Sequence, residues 1–260
     1  MTTTLFAAVG SGGLVGFTLG LVGGGGSILA TPLLLYVVGV TQPHVAIGTG
    51  ALAVAANALA NFGGHALKGH VWWRCALVFA ALGSLGALAG STLGKSIDGT
   101  YLLFFFGLLM MVVGGLMVLP RHSNATAVRP VNARMCAMTA AVAVAAGAAS
   151  GFFGIGGGFL IVPGLILATG MPTINAIGTS LLAVAAFGLA TAFNYALSGM
   201  VDWQLAAEFI GGGIGGGLVG TLAATRLASY RNALNRTFAA LIFVVASYVV
   251  YTSIGQIALR

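Results

Sequence analysis

The chain has 260 residues, is 59% hydrophobic and only 5% charged, and carries a net charge of +7. An average soluble domain is about one-quarter charged, so this sequence cannot cover a water-facing surface and reads as an integral membrane protein. Its Lys and Arg residues fall in short breaks between apolar runs and form no basic stripe, which excludes a nucleic-acid footprint and leaves them the task of orienting helices.

The apolar runs, in chain order, are 5–22, 27–38, 45–64, 71–93, 101–119, 135–153, 158–170, 174–198, 203–224 and 235–255. No charge precedes Lys68. The first run therefore lacks the basic flank of a secretory signal and is expected to be retained. Most runs approach the roughly 20 residues that span a bilayer. The runs 27–38 and 158–170 do not: about twelve residues at 1.5 Å each reach roughly half of the hydrocarbon core. Each follows a glycine stretch, "GLVGGGGSILATP" at 20–32 and "GFFGIGGGFLIVP" at 151–163. The expected fold is an all-α polytopic bundle.

The chain repeats itself. "AIGTGALAVAA" at 46–56 matches "AIGTSLLAVAA" at 176–186 in nine of eleven positions. Pro32 aligns with Pro163, Gly39 with Gly170, Gly69 with Gly199, Trp73 with Trp203 and Gly90 with Gly220. Two copies are expected, 1–119 and 135–260, joined by a polar linker at 120–134. The 64–74 break carries Lys68 and Arg74, whereas its counterpart near 198–204 carries only Asp202. Lys95 and Asp98 cancel at 94–100, whereas Arg226, Arg231 and Arg236 accumulate at 225–236. Because the positive bias swaps between copies, equivalent loops are expected on opposite sides of the membrane, with the linker cytoplasmic and both termini outside. Each copy is then a glycine-tipped helical hairpin plus three transmembrane helices, inverted with respect to the other, which is a recurrent transporter plan.

Irregular backbone is tolerated at membrane depth only where protein or a wet cavity satisfies it, so the glycine stretches are expected to face inward. Gly25, Gly26 and Ser27 in one copy, and Gly156, Gly157 and Gly158 in the other, are predicted to open the half-helices. Their N–H groups and the partial positive charge of a helix start would attract an anion. Glycines spaced by four have a different expected use: Gly12, Gly16 and Gly20, Gly86, Gly90 and Gly94, and Gly212, Gly216 and Gly220 let helices touch. No Lys follows the glycines as a phosphate loop requires, and "GGGIGG" at 211–216 has no strand before it. Cys75 and Cys136 have no metal spacing and suggest no disulfide. No nucleophile–base pair or metal cluster is evident, so neither an enzyme, a metal nor a cofactor is expected.

The glycine-rich stretches ending in a Pro-Leu or Pro-Gly turn, followed by "AIGT" opening the next helix, all present twice, resemble the TauE/SafE family of sulfite and sulfonate exporters and related anion permeases. The resemblance covers essentially the whole chain. It implies a multi-pass protein of the cell (inner) membrane that moves sulfite, a sulfonate or another small organic anion. The second copy has one residue fewer between Gly170 and Ala176, and Ile155 stands where the first has Gly24, which predicts inequivalent half-sites.

Polar residues at membrane depth complete the candidate site. Asn57, Asn61 and Asn194 lie on the helices opened by the motifs, and Thr49, Thr179 and Ser180 in their first turns. These hydroxyls and amides suit either an oxyanion or a helix cap and inter-helix bonds. His44, before the first motif, and Glu208, one turn into its apolar run, are the candidates for proton coupling. Trp72, Trp73 and Trp203 read as interface anchors. With no Lys or Arg at mid-membrane, and at most about 2 kcal/mol from a helix end, the expected site is polar, partly hydrated and of modest affinity. The leading expectation is an alternating-access exporter. An anion channel of the same fold and an uptake permease remain as alternatives.

Overall fold

A computed structural model describes residues 2–118, 133–155, 158–226 and 231–258. These residues are helical throughout, with no strand among them. The order is α1 (Thr2–Val22), a 3-10 turn (Gly24–Leu29), α2 (Ala30–Tyr36), α3 (Pro43–Leu67), α4 (Trp73–Ser96), α5 (Gly99–Val118), α6 (Ala133–Phe153), α7 (Gly158–Thr169), α8 (Thr173–Ala196), α9 (Trp203–Arg226) and α10 (Arg231–Ala258). Seven of these, α1, α3, α4, α6, α8, α9 and α10, are long and apolar enough to cross a membrane. The linker at 120–134 lies outside the described residues as far as 132.

α3 and α8 form the centre: their spans are 67% buried, against 33–44% for the other five. Helices on the periphery turn Leu85, Leu218, Val244 and Tyr251 outward, as a lipid-facing surface requires. Trp73 and Trp203, at the starts of α4 and α9, are exposed, consistent with anchoring.

Glycine sets the helix pairing. Gly12 lies on the backbone of Phe209, Gly16 on that of Gly213 and Gly20 on that of Gly217, so α1 and α9 run side by side in the same direction. Gly86 and Gly90 lie against Val144 and Ala148, and Gly94 against Phe152, so α4 and α6 also run together. Gly212, Gly216 and Gly220 meet Val9, Gly13 and Phe17 from the other side of the first seam. At all nine positions a Cβ would strike a neighbouring backbone, so the expected packing use of the spaced glycines holds. α3 and α8 instead cross antiparallel, with Gly48 near Tyr195 and Gly188 near Ala51 and Ala55. α5 and α10 are antiparallel as well: Gly107 faces Val249 and Val250, and Gly114 faces Ile242 and Phe243.

Three local expectations need correction. α3 and α8 begin at Pro43 and Thr173, six residues before Thr49 and Thr179. Those threonines are therefore in the second turn and cannot cap their own helices. Pro32 and Pro163 lie inside α2 and α7 rather than in turns. Pro32 is tolerated because the first helical turn needs no bonded N–H there. Finally, the first glycine stretch opens as a 3-10 turn rather than an α-helix, and α2 beyond it has only seven residues. Consecutive glycines favour no α-helical state, and so short a helix aligns too few peptides to supply the expected dipole.

Candidate functional site

The first glycine turn is built from Gly23 onward. Gly23 has φ 79°, a left-handed conformation open to glycine, and its N–H ends α1 by donating to Leu19 O at 2.9 Å. Gly26 N–H donates back to Gly23 O at 3.1 Å, and Ser27 Oγ donates to Gly24 O at 2.8 Å. The N–H groups of Gly24 and Gly25 thus precede the first bond of the turn. Gly24, Gly25, Gly26 and Ser27 are all buried. Gly24 rests on the backbone of Gly158, the first residue of α7, so the two copies' glycine elements touch. Gly156 and Gly157 lie outside the described residues. The first predicted turn therefore does face inward, and its Gly24 closes on Gly158.

The duplicated "AIGT" motif makes the same joint twice, each time with the other copy. Ile47 packs under Gly154, and Ile177 under Gly23, both glycines with positive φ. Gly48 lets the carbonyl of Met200 approach, and Gly178 that of His70. Thr49 Oγ1 accepts from Asp202 N–H at 3.0 Å, and Thr179 Oγ1 accepts from Trp72 N–H at 3.1 Å. Both hydroxyls are fully buried. Each caps the approach to the opposite copy's helix, α9 or α4. Ser180 is also buried but turns back to Ile177 O at 2.8 Å.

Beyond the joint the copies differ. Asn57 is fully buried in α3, its carboxamide against Gly213 of α9, with neither Oδ1 nor Nδ2 hydrogen-bonded. One turn on, Asn61 Nδ2 donates to Asn57 O at 3.0 Å, and Thr221 Oγ1 donates to Asn61 Oδ1 at 3.1 Å. Asn194 is elsewhere, at the end of α8. Its Nδ2 donates to Ser91 Oγ at 2.6 Å and Thr92 Oγ1 at 3.0 Å. Lys95 Nζ donates to Asn194 O at 3.0 Å, Asn194 Oδ1 at 2.8 Å and Ser198 Oγ at 2.9 Å, so its three hydrogens are committed to the C-terminus of α8. Its ammonium also stands 5.9 Å from the Tyr195 ring centroid. Asn194 is thus a helix-end clamp between α4 and α8, apart from Asn57.

The two proton-coupling candidates lie near the same end of the bundle. His44 is half-buried, 6.2 Å ring to ring from Tyr195. Glu208 is half-buried, accepts from Gln204 Nε2 at 3.2 Å, and lines a cavity of about 610 Å³ with Thr4, Val38–Val40 and Asp202. The described residues hold no group of three metal-ligating side chains. Cys75 and Cys136 are free thiols, half-buried and exposed.

Thr221 and Lys95 are polar residues of these junctions that the sequence reading passed over. A threonine in a glycine-rich helix gives no signal of its own. Lys95 did give one, a cation with an uncharged residue at its counterpart in the second copy. Ile47 and Ile177 were hidden because an apolar motif residue reads as core.

Comparison with known proteins agrees with this architecture. The family model described as "Sulfite exporter TauE/SafE" matches residues 8–249. A "Probable membrane transporter protein" of Xylella fastidiosa strain 9a5c is 62% identical over 251 residues, covering 96% of both chains. The corresponding protein of strain Temecula1 is 61% identical over 254 residues, again with 96% of both covered. "Probable membrane transporter protein YunE" of Bacillus subtilis is 26% identical over 227 residues, covering 77% of this chain and 81% of its own. No solved structure matches. A match across nearly the whole length, on a fold with seven candidate spans among the described residues and with Gly24 touching Gly158, places the chain in the sulfite exporter TauE/SafE family of membrane transporters.

Proposed function

We propose that the protein exports sulfite or a small organosulfonate across the inner membrane by alternating access between residues 1–119 and 135–260. Helix directions support an inverted relation between these halves. α1, α3 and α9 share one direction through the Gly16–Gly213–Asn57 and Gly20–Gly217–Asn61 contacts, and α4, α6 and α8 share the other. α1, α3, α4 and α5 then oppose their counterparts α6, α8, α9 and α10. With Lys68 and Arg74 at one end and Asp202 at the other, the positive-inside rule sets both termini outside and the 120–134 linker inside.

The observation that carries the reading is the contact of Gly24 with Gly158. Two glycine elements, one per half, meet beside the most enclosed helices, and in the first of them the N–H groups of Gly24 and Gly25 precede helical bonding. Gly25, Gly26, Ser27 and Asn57 border the anion on one side, and Gly156, Gly157 and Gly158 on the other. Thr49, Thr179 and Ser180 hold the frame, and transport requires the Gly24–Gly158 contact to part. Amide donors without a cation give weak binding, with dissociation constants in the high micromolar range or above. A cell-negative potential drives anions outward by about 2.3 kcal/mol per charge per 100 mV, so export needs no coupled proton through His44 or Glu208.

Proteoliposomes loaded with sulfite test the reading. Saturable efflux that accelerates with an imposed potential and shows counterflow is the expected result. Flux that never saturates and shows no counterflow would make the protein a channel. Flux that ignores potential but follows a proton gradient would return Glu208 and His44 to a coupling role.

A further inference from the structure

We propose that Asn57 makes the binding site selective for an oxyanion that still carries one O–H. The proposal rests on the anion-transport reading above, adds the protonation state of the substrate and, of the two substrates named there, selects hydrogensulfite over an organosulfonate.

Asn57 is fully buried, and both ends of its carboxamide lack a partner. Buried polar atoms are normally satisfied, and an exception asks for a ligand. The surroundings were cleared for this side chain: Gly213 has no Cβ where the carboxamide lies, and Gly16 of α1 lies on Gly213. Three helices therefore converge on Asn57, with the Asn61–Thr221 bond fixing its far side. The equivalent junction of the second half is filled instead. Phe187 stands at the position of Asn57, lies against Gly83, and stacks on Phe79 at 6.1 Å between centroids. Of the two related junctions, one offers a carboxamide and the other an aromatic plug.

A carboxamide presents a donor and an acceptor side by side. A fully deprotonated oxyanion offers acceptors alone, so it satisfies Nδ2 but sets its lone pairs against Oδ1. An oxyanion with one O–H donates to Oδ1 and accepts from Nδ2, closing a cyclic pair. The charge balance points the same way. The apolar spans that meet here, 4–21, 43–67 and 203–223, contain no Lys or Arg. Desolvating a second negative charge without a cation is far costlier than desolvating one.

Methylphosphonate and methanesulfonate are near-isosteric probes. Below its second pKa the phosphonate is a monoanion with an O–H, whereas the sulfonate has none. Inhibition of sulfite counterflow in proteoliposomes should favour methylphosphonate by about tenfold at pH 6.5, since of the two only the phosphonate can donate to Oδ1. At pH 9 the phosphonate and sulfite have both lost the proton, so sulfite counterflow itself should fall and the advantage should vanish; at pH 6.5 the advantage should also vanish in Asn57→Leu. Should that variant not fold, Asn57→Thr replaces it, with a reduced preference expected. Equal inhibition by both probes in the wild type at pH 6.5 overturns the proposal, as does a preference that survives in Asn57→Leu or is undiminished in Asn57→Thr. A protein that moves no anion overturns the transport reading and this inference together, whereas transport without preference overturns this inference alone.

Discussion

Thr49 and Thr179 show how a single hydroxyl can join two halves of a membrane protein. Each is fully buried and accepts one backbone N–H from the opposite half, Asp202 in one case and Trp72 in the other. Burial removes water as an alternative partner for either hydroxyl, so an unmade bond there is costly. Thr49→Val and Thr179→Val should each cost about 1–3 kcal/mol, the penalty for an unsatisfied buried donor. Both should lower the melting temperature in detergent to a similar degree, and Thr→Ser at either position should recover most of the loss. Lys95 has no such twin: Thr225 stands at its equivalent position. Lys95→Met removes three donors from the end of α8. It should increase labelling of a cysteine placed at Ser198, and a reagent-accessibility series would detect this.

Among the elements, the helix seams depend on bare Cα atoms. Gly16 and Gly90 lie directly on the backbones of α9 and α6. Lipid tails are as apolar as the side chains, so such close contact rather than hydrophobic exclusion holds these helices together. Gly16→Leu or Gly90→Leu should abolish monodisperse protein on size-exclusion chromatography. Gly10→Leu and Gly215→Leu, on α1 and α9 but with nothing within 4 Å of an added Cβ, should leave the elution profile unchanged. The 3-10 turn at Gly24–Leu29 follows from the same economy: Gly24 can touch Gly158 only because neither has a side chain.

For the whole molecule, the testable property is sidedness. Loop positions Lys68 and Gly69 lie by the start of α8, whereas Asp98 and Ser198 share the end at which Lys95 reaches α8. In a background with Cys75 and Cys136 replaced by Ala, cysteines at 98 and 198 should react with an impermeant maleimide from outside intact cells. Cysteines at 68 and 69 should react only after permeabilisation. Labelling of 68 and 198 from the same side would reject the inverted arrangement.

How much was legible in advance depended on range. Composition and the length of apolar runs determined a helical membrane protein, because a chain with so few charges has no other stable solvent. The duplicated glycine and "AIGT" motifs determined the family, and glycines spaced by four determined the seams, since both signals are local in sequence. Thr49 meeting Asp202, Ile177 meeting Gly23, and Asn57 left unpaired while Phe187 fills the equivalent place required the tertiary structure. These partners lie more than a hundred residues apart, and hydrogen-bond satisfaction is a property of what finally surrounds an atom. Only packing the two halves together decides which buried polar group is a joint and which still lacks its partner.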